Sequence, residues 1–214
     1  MRKLLSYIYP ITKKITSKHN GELEITWYNG KKHLNSKNAN YSYGSLQKIL
    51  KIGLQKIDLK NCKEILILGM GGGSVIKTLR DDFNYQHQIT AVEIDPTIIK
   101  IADEEFDIRE SKNLNIICDD AQLFMQLNTK KFDLAIIDLY IDTKVPNAFL
   151  EIPFWKNLSN AVSTILCNAS LELKNNDKLA TIKRFLKSKN YQVDFYEKVN
   201  GTNTLLVANK ENLE

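Results

Sequence analysis

Cysteine is scarce in this sequence. Cys62, Cys118 and Cys167 stand far apart in a chain of 214 residues and form no CxxC pair. An odd, scattered set argues against a disulfide framework and predicts a reducing, cytoplasmic setting. Histidine is equally rare. His19, His33 and His87 have no second ligand at helical or hairpin spacing, so no metal site is expected. No apolar run approaches the roughly 20 residues that span a bilayer, so no membrane partner is expected. The opening MRKLLSYIYPITKK has a charged head but too short an apolar core for a secretory signal. A dense basic run is also missing. The net charge of +5 comes from lysines spread along the chain, which reads as solvated surface and not as a nucleic-acid arm.

What is present suits a soluble α/β protein. The chain is 43% hydrophobic and 26% charged, and it is long enough for one α/β domain with a small appendage. The appendage comes first, over residues 1–44. Within it, Glu22-Leu23-Glu24-Ile25-Thr26-Trp27-Tyr28 alternates apolar and polar side chains, the period of a half-buried strand. Asn20-Gly21 and Asn29-Gly30 flank it, and both pairs favour two-residue hairpin turns. Three short strands follow from this, too few to be stable alone. Their exposed edges and Trp27 predict a homodimer with residues 11–40 near the interface.

Residues 45–214 change pattern. Apolar runs at 65–68, 89–92, 114–117, 134–137 and 164–166 alternate with helical stretches such as 75–83 and 97–106. Such alternation means βαβ units, and continuously apolar runs mean strands covered on both faces. The last two runs, 191–196 and 204–209, are joined by Val199-Asn200-Gly201 as a hairpin. The expected fold is therefore a Rossmann-like, mostly parallel sheet of seven strands whose last strand is antiparallel.

The strand ends carry the chemistry. Ile65–Leu68 runs into Gly69-Met70-Gly71-Gly72-Gly73 and then a helix. Glycines permit positive φ and close approach to a ligand, and the helix start offers free N–H groups. The next strand ends at Glu93, about 20 residues on, where an acid accepts from both ribose hydroxyls. Asp95 before Pro96 fits the cap of the following helix, which leaves Glu93 free. Asp120, in Cys118-Asp119-Asp120-Ala121, stands beside the adenine edge of such a site, although either aspartate also fits a helix cap. Asp138 ends the fourth strand. Ligands of open α/β sheets sit outside the carboxyl ends of the strands, and here four such ends carry Gly, Glu, Asp and Asp.

These segments (ILILGMGGGSVIKTL, ITAVEIDPTIIKIA, NIICDDAQLFM and FDLAIIDLY) resemble the spermidine synthase family, the polyamine aminopropyltransferases, within the class I methyltransferase-like fold. The resemblance covers most of the chain. It implies a donor nucleoside, S-adenosylmethionine or its decarboxylated form, held by Gly69, Gly71, Gly73, Glu93 and Asp120. It further implies Asp138 as the carboxylate near an attacking amine, with Tyr43, Tyr140 and Asp142 around the acceptor. The sequence also departs from that family. Where spermidine-forming members read GGGDG, with an acid holding the aminopropyl amine, this chain has Gly72. Gly44 replaces a glutamine, and the DSSD-type loop becomes Asp138-Leu139-Tyr140-Ile141-Asp142.

Burying an uncompensated ammonium costs several kcal/mol, so a site that has lost an acid is poorly suited to a diamine. The sequence therefore predicts transfer of a methyl or aminopropyl group to an amine or other small-molecule acceptor, outside standard spermidine synthesis. Two other readings stand beside it. An NAD(P)-dependent oxidoreductase matches Gly69-x-Gly71 with Glu93, but would want Gly or Ala where Ser74 stands and has no use for Asp120. A non-catalytic nucleoside-binding scaffold would keep the fold alone. Of the aromatics after the fourth strand, Phe154 and Trp155 are expected in the core, and Tyr140 and Phe149 are candidates for a pocket wall.

Overall fold

The computed structural model describes residues 2–36, 40–141, 144–169, 177–201 and 203–211. A short helix, α1 (Arg2–Leu5), leads into four antiparallel strands in sequential order, β1 (Ile11–Ser17), β2 (Gly21–Tyr28), β3 (Lys31–Ser36) and β4 (Asn40–Ser42). The β2–β3 turn is tight because Asn29 and Gly30 both take positive φ, 49° and 73°, which matches the twist of the flanking strands. The alternation in β2 turns Leu23 and Ile25 inward beside Leu34 of β3. The unit has one strand more than the sequence pattern indicates, because β4 is too short to show a period.

The second sheet has seven strands: β5 (Glu64–Leu68), β6 (Gln88–Glu93), β7 (Leu114–Cys118), β8 (Phe132–Ile137), β9 (Val162–Asn168), β10 (Tyr191–Val199) and β11 (Asn203–Lys210). Their order is β10-β11-β9-β8-β5-β6-β7. Strands β5 to β9 pair in parallel, and β11 lies antiparallel between β9 and β10. Among the described residues, six α-helices connect and cover the sheet: α2 (Ser45–Leu54), α3 (Ser74–Asp81), α4 (Pro96–Phe106), α5 (Ala121–Leu127), α6 (Ile152–Ala161) and α7 (Asp177–Ser188).

Alternate strand residues feed two cores. Ile65, Ile67, Leu134 and Ile136 pack on one face with α2, α3 and α4, and the same core contains Leu23, Ile25 and Leu34 of the small sheet. Leu66, Leu68, Ala135 and Ile137 pack on the other face against α5, α6 and α7. The small sheet is thus part of the main core. Charge also fastens it: Lys13 and Lys32 pair with Glu105 of α4 at 3.0 and 2.9 Å. Among the described residues, no helix is long and apolar enough to cross a membrane.

The chain leaves β5 for β6 on one side and later returns to place β8 on the other. That reversal opens a crevice at the carboxyl ends of β5 and β8, the place where sheets of this kind bind ligands.

Candidate functional site

The glycine loop after β5 is shaped by its neighbours. Gly69, Gly71 and Gly73 have φ of 83°, 54° and 81°, a region that side chains with a Cβ disfavour. At Gly69 the constraint is also one of space, since a Cβ there would run into the carbonyl of Asp138. Across the loop, the Gly69 and Met70 amides donate to the Val92 carbonyl of β6 at 3.0 and 3.2 Å. The loop is thereby held against the ends of both β6 and β8.

Gly72 differs. Its φ lies outside the left-handed region, so its backbone would accept other residues. What restricts it is β4: a Cβ at position 72 would lie 3.0 Å from Ser42 Cβ, 3.1 Å from Ser42 Oγ and 3.3 Å from Tyr43 Cε2. Ser42 is itself anchored, its Oγ accepting from the Ser74 amide at the start of α3 (3.3 Å).

Glu93 lies beneath this loop. Its Oε2 accepts from the Gly71 amide at 2.9 Å and its Oε1 from the Asp95 amide at 3.1 Å. The side chain is only 5% exposed, and burial pushes its carboxyl up to about 7 against the pull of those backbone donors. Each oxygen keeps further lone-pair capacity. Asp95 does what its place before Pro96 suggests and caps α4, accepting from the Thr97 amide at 2.9 Å. It also accepts from Ser17 and, at 2.7 Å, from Asn20 Nδ2. Burial alone would raise Asp95, but these donors outweigh it and hold its carboxyl low.

Between the two candidate aspartates, the cap of α5 falls to Asp120. Its Oδ1 accepts from the Gln122 and Leu123 amides at 2.6 and 3.3 Å, so one oxygen is committed to the helix. Ile94, directly after β6, and Leu123, in the first turn of α5, expose apolar side chains, 43% and 45%. Sequence reasoning missed both, because a single apolar residue after a strand or in a first helical turn carries no pattern.

Asp138 follows β8 and sits next to the glycine loop, its amide donating to the Leu68 carbonyl at 2.9 Å. Burial pushes its carboxyl up to about 6, while a hydrogen bond from Asn168 Nδ2 (3.0 Å) draws it down. Tyr140 crosses the same strand ends, its hydroxyl donating to the Asn168 carbonyl at 3.1 Å. Asp142 lies outside the described residues.

Tyr43 takes a packing role. Its ring stacks on Phe106 with centroids 4.2 Å apart, and its hydroxyl is buried without a hydrogen-bond partner among the described residues. Burial first, then Asp81 and Asp107, push that hydroxyl well above the ordinary tyrosine range. The edge of the same ring lies 3.3 Å from where a Cβ at position 72 would stand. Tyr41, two residues earlier, also reaches the strand ends. Its hydroxyl meets Asn20 Oδ1 at 2.5 Å and the Tyr140 carbonyl at 3.2 Å, and its own carbonyl overhangs Gly71. Phe154 and Trp155 are core, as their pattern suggests. Glu151 pairs with Lys178 at 2.8 Å on the surface.

A glycine loop, Glu93, Asp120 and Asp138 at consecutive strand ends, on a seven-stranded sheet with β11 reversed, define the class I methyltransferase fold. Solved structures agree on the fold. A probable spermidine synthase from Corynebacterium glutamicum ATCC 13032 aligns with a TM-score of 0.66 at 15% identity, over 96% of this chain and 78% of that one. Human methyltransferase-like protein 13, in complex with SAH, aligns with a TM-score of 0.62 at 19% identity, over 79% and 82%. Within that class the chain belongs to the spermine/spermidine synthase domain family, whose model matches residues 47–197. Curated relatives point to both kinds of transfer. A polyamine aminopropyltransferase of Vibrio vulnificus (strain CMCP6) is 29% identical over 105 residues, 48% of this chain and 35% of the relative. An eEF1A lysine and N-terminal methyltransferase homolog of Drosophila pseudoobscura pseudoobscura is 32% identical over 85 residues, 38% of this chain. The match spans 12% of that relative's length.

Proposed function

We propose that this protein binds S-adenosylmethionine with its carboxylate retained and transfers the methyl group to a nitrogen of a small-molecule acceptor. The observation that carries the choice of donor is the contact between Ser42 and position 72. A decarboxylated donor ends in a lone ammonium that needs an acid partner; this chain has glycine at position 72, and a Cβ there would crowd Ser42 at 3.0 Å, so an acid fits only if Ser42 gives way. Leaving one charge of a desolvated pair unmatched costs about 3–5 kcal/mol. A donor that keeps its carboxylate carries its own counter-charge. The relatives cited above include both methyl and aminopropyl transferases, and one structural relative holds SAH.

The residues fit the nucleoside. Glu93 has capacity for the ribose hydroxyls in addition to its two backbone donors. The second oxygen of Asp120 is available to an exocyclic amine while the first caps α5. Ile94 and Leu123 offer apolar surface to the base. The donor supplies an electrophilic methyl carbon on a sulfonium. The nitrogen lone pair of the acceptor forms the new C–N bond, the C–S bond breaks with its electrons left on sulfur, and the surplus proton passes from nitrogen to Asp138. A carboxyl held near 6 is mostly ionised at neutral pH and can take up that proton.

Calorimetry with S-adenosylhomocysteine and methylthioadenosine tests donor binding, and parallel assays with putrescine and each donor test the transfer. S-adenosylhomocysteine is expected to bind, with little methylthioadenosine released from the decarboxylated donor. Release at ordinary enzyme rates, about 1 per second or more, would overturn this reading.

A further inference from the structure

The ends of β9 and β11 hold a polar chain that the sequence patterns do not reveal. Asn168, the last residue of β9, is 2% exposed. Its Nδ2 donates to Asp138 Oδ1 at 3.0 Å, and its Oδ1 accepts from Asn203 Nδ2 at 2.8 Å. Its main-chain carbonyl accepts from the Tyr140 hydroxyl at 3.1 Å. The frame beneath is fixed by the next residue, whose amide donates to the Thr204 carbonyl at 2.8 Å. Asn168 is thus held at both ends of its side chain and at its backbone.

An asparagine amide has two unlike ends, and in a buried site its neighbours decide which faces where. Here the carboxylate of Asp138 can only accept and Asn203 is placed to donate, so the NH2 of Asn168 faces Asp138 and its oxygen faces Asn203. A flipped amide would set oxygen against carboxylate and NH2 against NH2, repulsive at both ends. Asn168 is the one described side chain that hydrogen-bonds Asp138.

We infer that Asn168, oriented by Asn203, is a positioning residue that holds Oδ1 of Asp138 and leaves Oδ2 as the oxygen presented to the acceptor. This rests on the reading of Asp138 as the acceptor-facing carboxylate. The relay spans three strand ends, β8, β9 and β11, and gives the reversed strand a part in the site. Its second consequence is electrostatic. An amide keeps its hydrogens at every pH, so its donation favours the charged carboxylate. The titratable group beside Asp138 on β9 is Cys167, whose thiol burial pushes up to about 12; it stays neutral while Asp138 titrates.

The test needs no acceptor. The carboxyl carbon of Asp138 is followed by NMR in protein carrying labelled aspartate, in the wild type and in Asn168→Leu and Asn203→Asp. Asn168→Leu removes the donor. Asn203→Asp replaces the donor facing Asn168 by an acceptor that competes with Asp138 for the Asn168 NH2, and the titration of this variant is followed at high salt, which screens the direct effect of the added charge. Both variants should raise the midpoint of Asp138 by roughly one unit. A purely structural asparagine would lower stability and leave that midpoint in place. If Asn168→Leu does not fold, Asn203→Asp carries the test, since Asn203 is only half-buried. A midpoint unchanged in a folded variant overturns the relay. Calorimetry with S-adenosylhomocysteine runs alongside, and its failure on the wild type would count against the donor assignment, with the relay judged by the titration.

Discussion

Aspartate introduced at position 72 should be rejected by this protein until Ser42 is made smaller. The backbone at Gly72 suits any residue, so the cost of Gly72→Asp is steric. Its Cβ would arrive 3.0 Å from Ser42 Cβ and 3.3 Å from the Tyr43 ring. Neither neighbour retreats easily: Ser42 holds the first amide of α3, and Tyr43 is stacked on Phe106. Overpacking of this kind costs about 1–3 kcal/mol. Ser42→Gly alone loses the acceptor for the Ser74 amide, a cap-like bond of about 0.5–2 kcal/mol. In the double variant the two closest contacts, both with Ser42, are gone and only the 3.3 Å approach to Tyr43 remains, so the combined loss should fall short of the sum by at least ~1 kcal/mol. Urea unfolding of the four proteins measures this directly. The double variant should also bind the decarboxylated nucleoside more tightly than wild type does, because the lone ammonium regains a partner. Additivity within about 0.5 kcal/mol would show that the β4 segment moves aside freely, and the argument for donor choice would fall with it.

Glu93 should give the protein a distinct pH signature. Its folded carboxyl titrates near 7, above the ordinary value of 4.5, so the folded state binds the extra proton between those values. Wild type should therefore gain stability relative to Glu93→Gln as pH falls from 8 to 5, by up to about 3 kcal/mol; parallel unfolding curves across that range would refute it. Affinity for S-adenosylhomocysteine should weaken over the same fall in pH, as the carboxylate that accepts from the ribose is neutralised; calorimetry at several pH values reads this. Asp95→Ala removes the α4 cap together with the partner of Ser17 and Asn20, and should cost about 3 kcal/mol in chemical denaturation. Leu4, Tyr7, Ile8 and Tyr9, ahead of the edge strand β1, and Tyr28 at the end of β2 expose large apolar side chains, and light scattering should find a dimer that Ile8→Glu weakens.

The parts of this fold that repeat were readable, and the parts that depend on a single contact were not. Strands β5 to β9 show as apolar runs because both of their faces are buried, and Glu93 shows because it follows the glycines at a fixed distance. Asp95 and Pro96 gave the start of α4 by local chemistry alone. Asp120 could not be separated from Asp119 as a cap, since the two differ by one residue and the outcome rests on where α5 begins. Tyr41 lies in the three-residue strand β4 and Tyr43 directly after it, and only the tertiary course decides that Tyr43 packs on Phe106 while Tyr41 meets Tyr140. Asn168 and Asn203 are 35 residues apart and neither belongs to a motif; their pairing exists only once β11 inserts beside β9.

The fastening of the small sheet sets an order of events on the ribosome. Ser17 and Asn20 find their partner in Asp95, 78 and 75 residues later, and Tyr41 waits 99 residues for Tyr140. At synthesis rates of roughly 5–20 residues per second, the first of these contacts waits about 4–16 s after Ser17 is made. The small sheet therefore waits for partners made long after its own strands. Throughout that interval Leu23, Ile25 and Leu34 lack the core they will share with the large sheet, and the growing chain offers chaperones a defined apolar target.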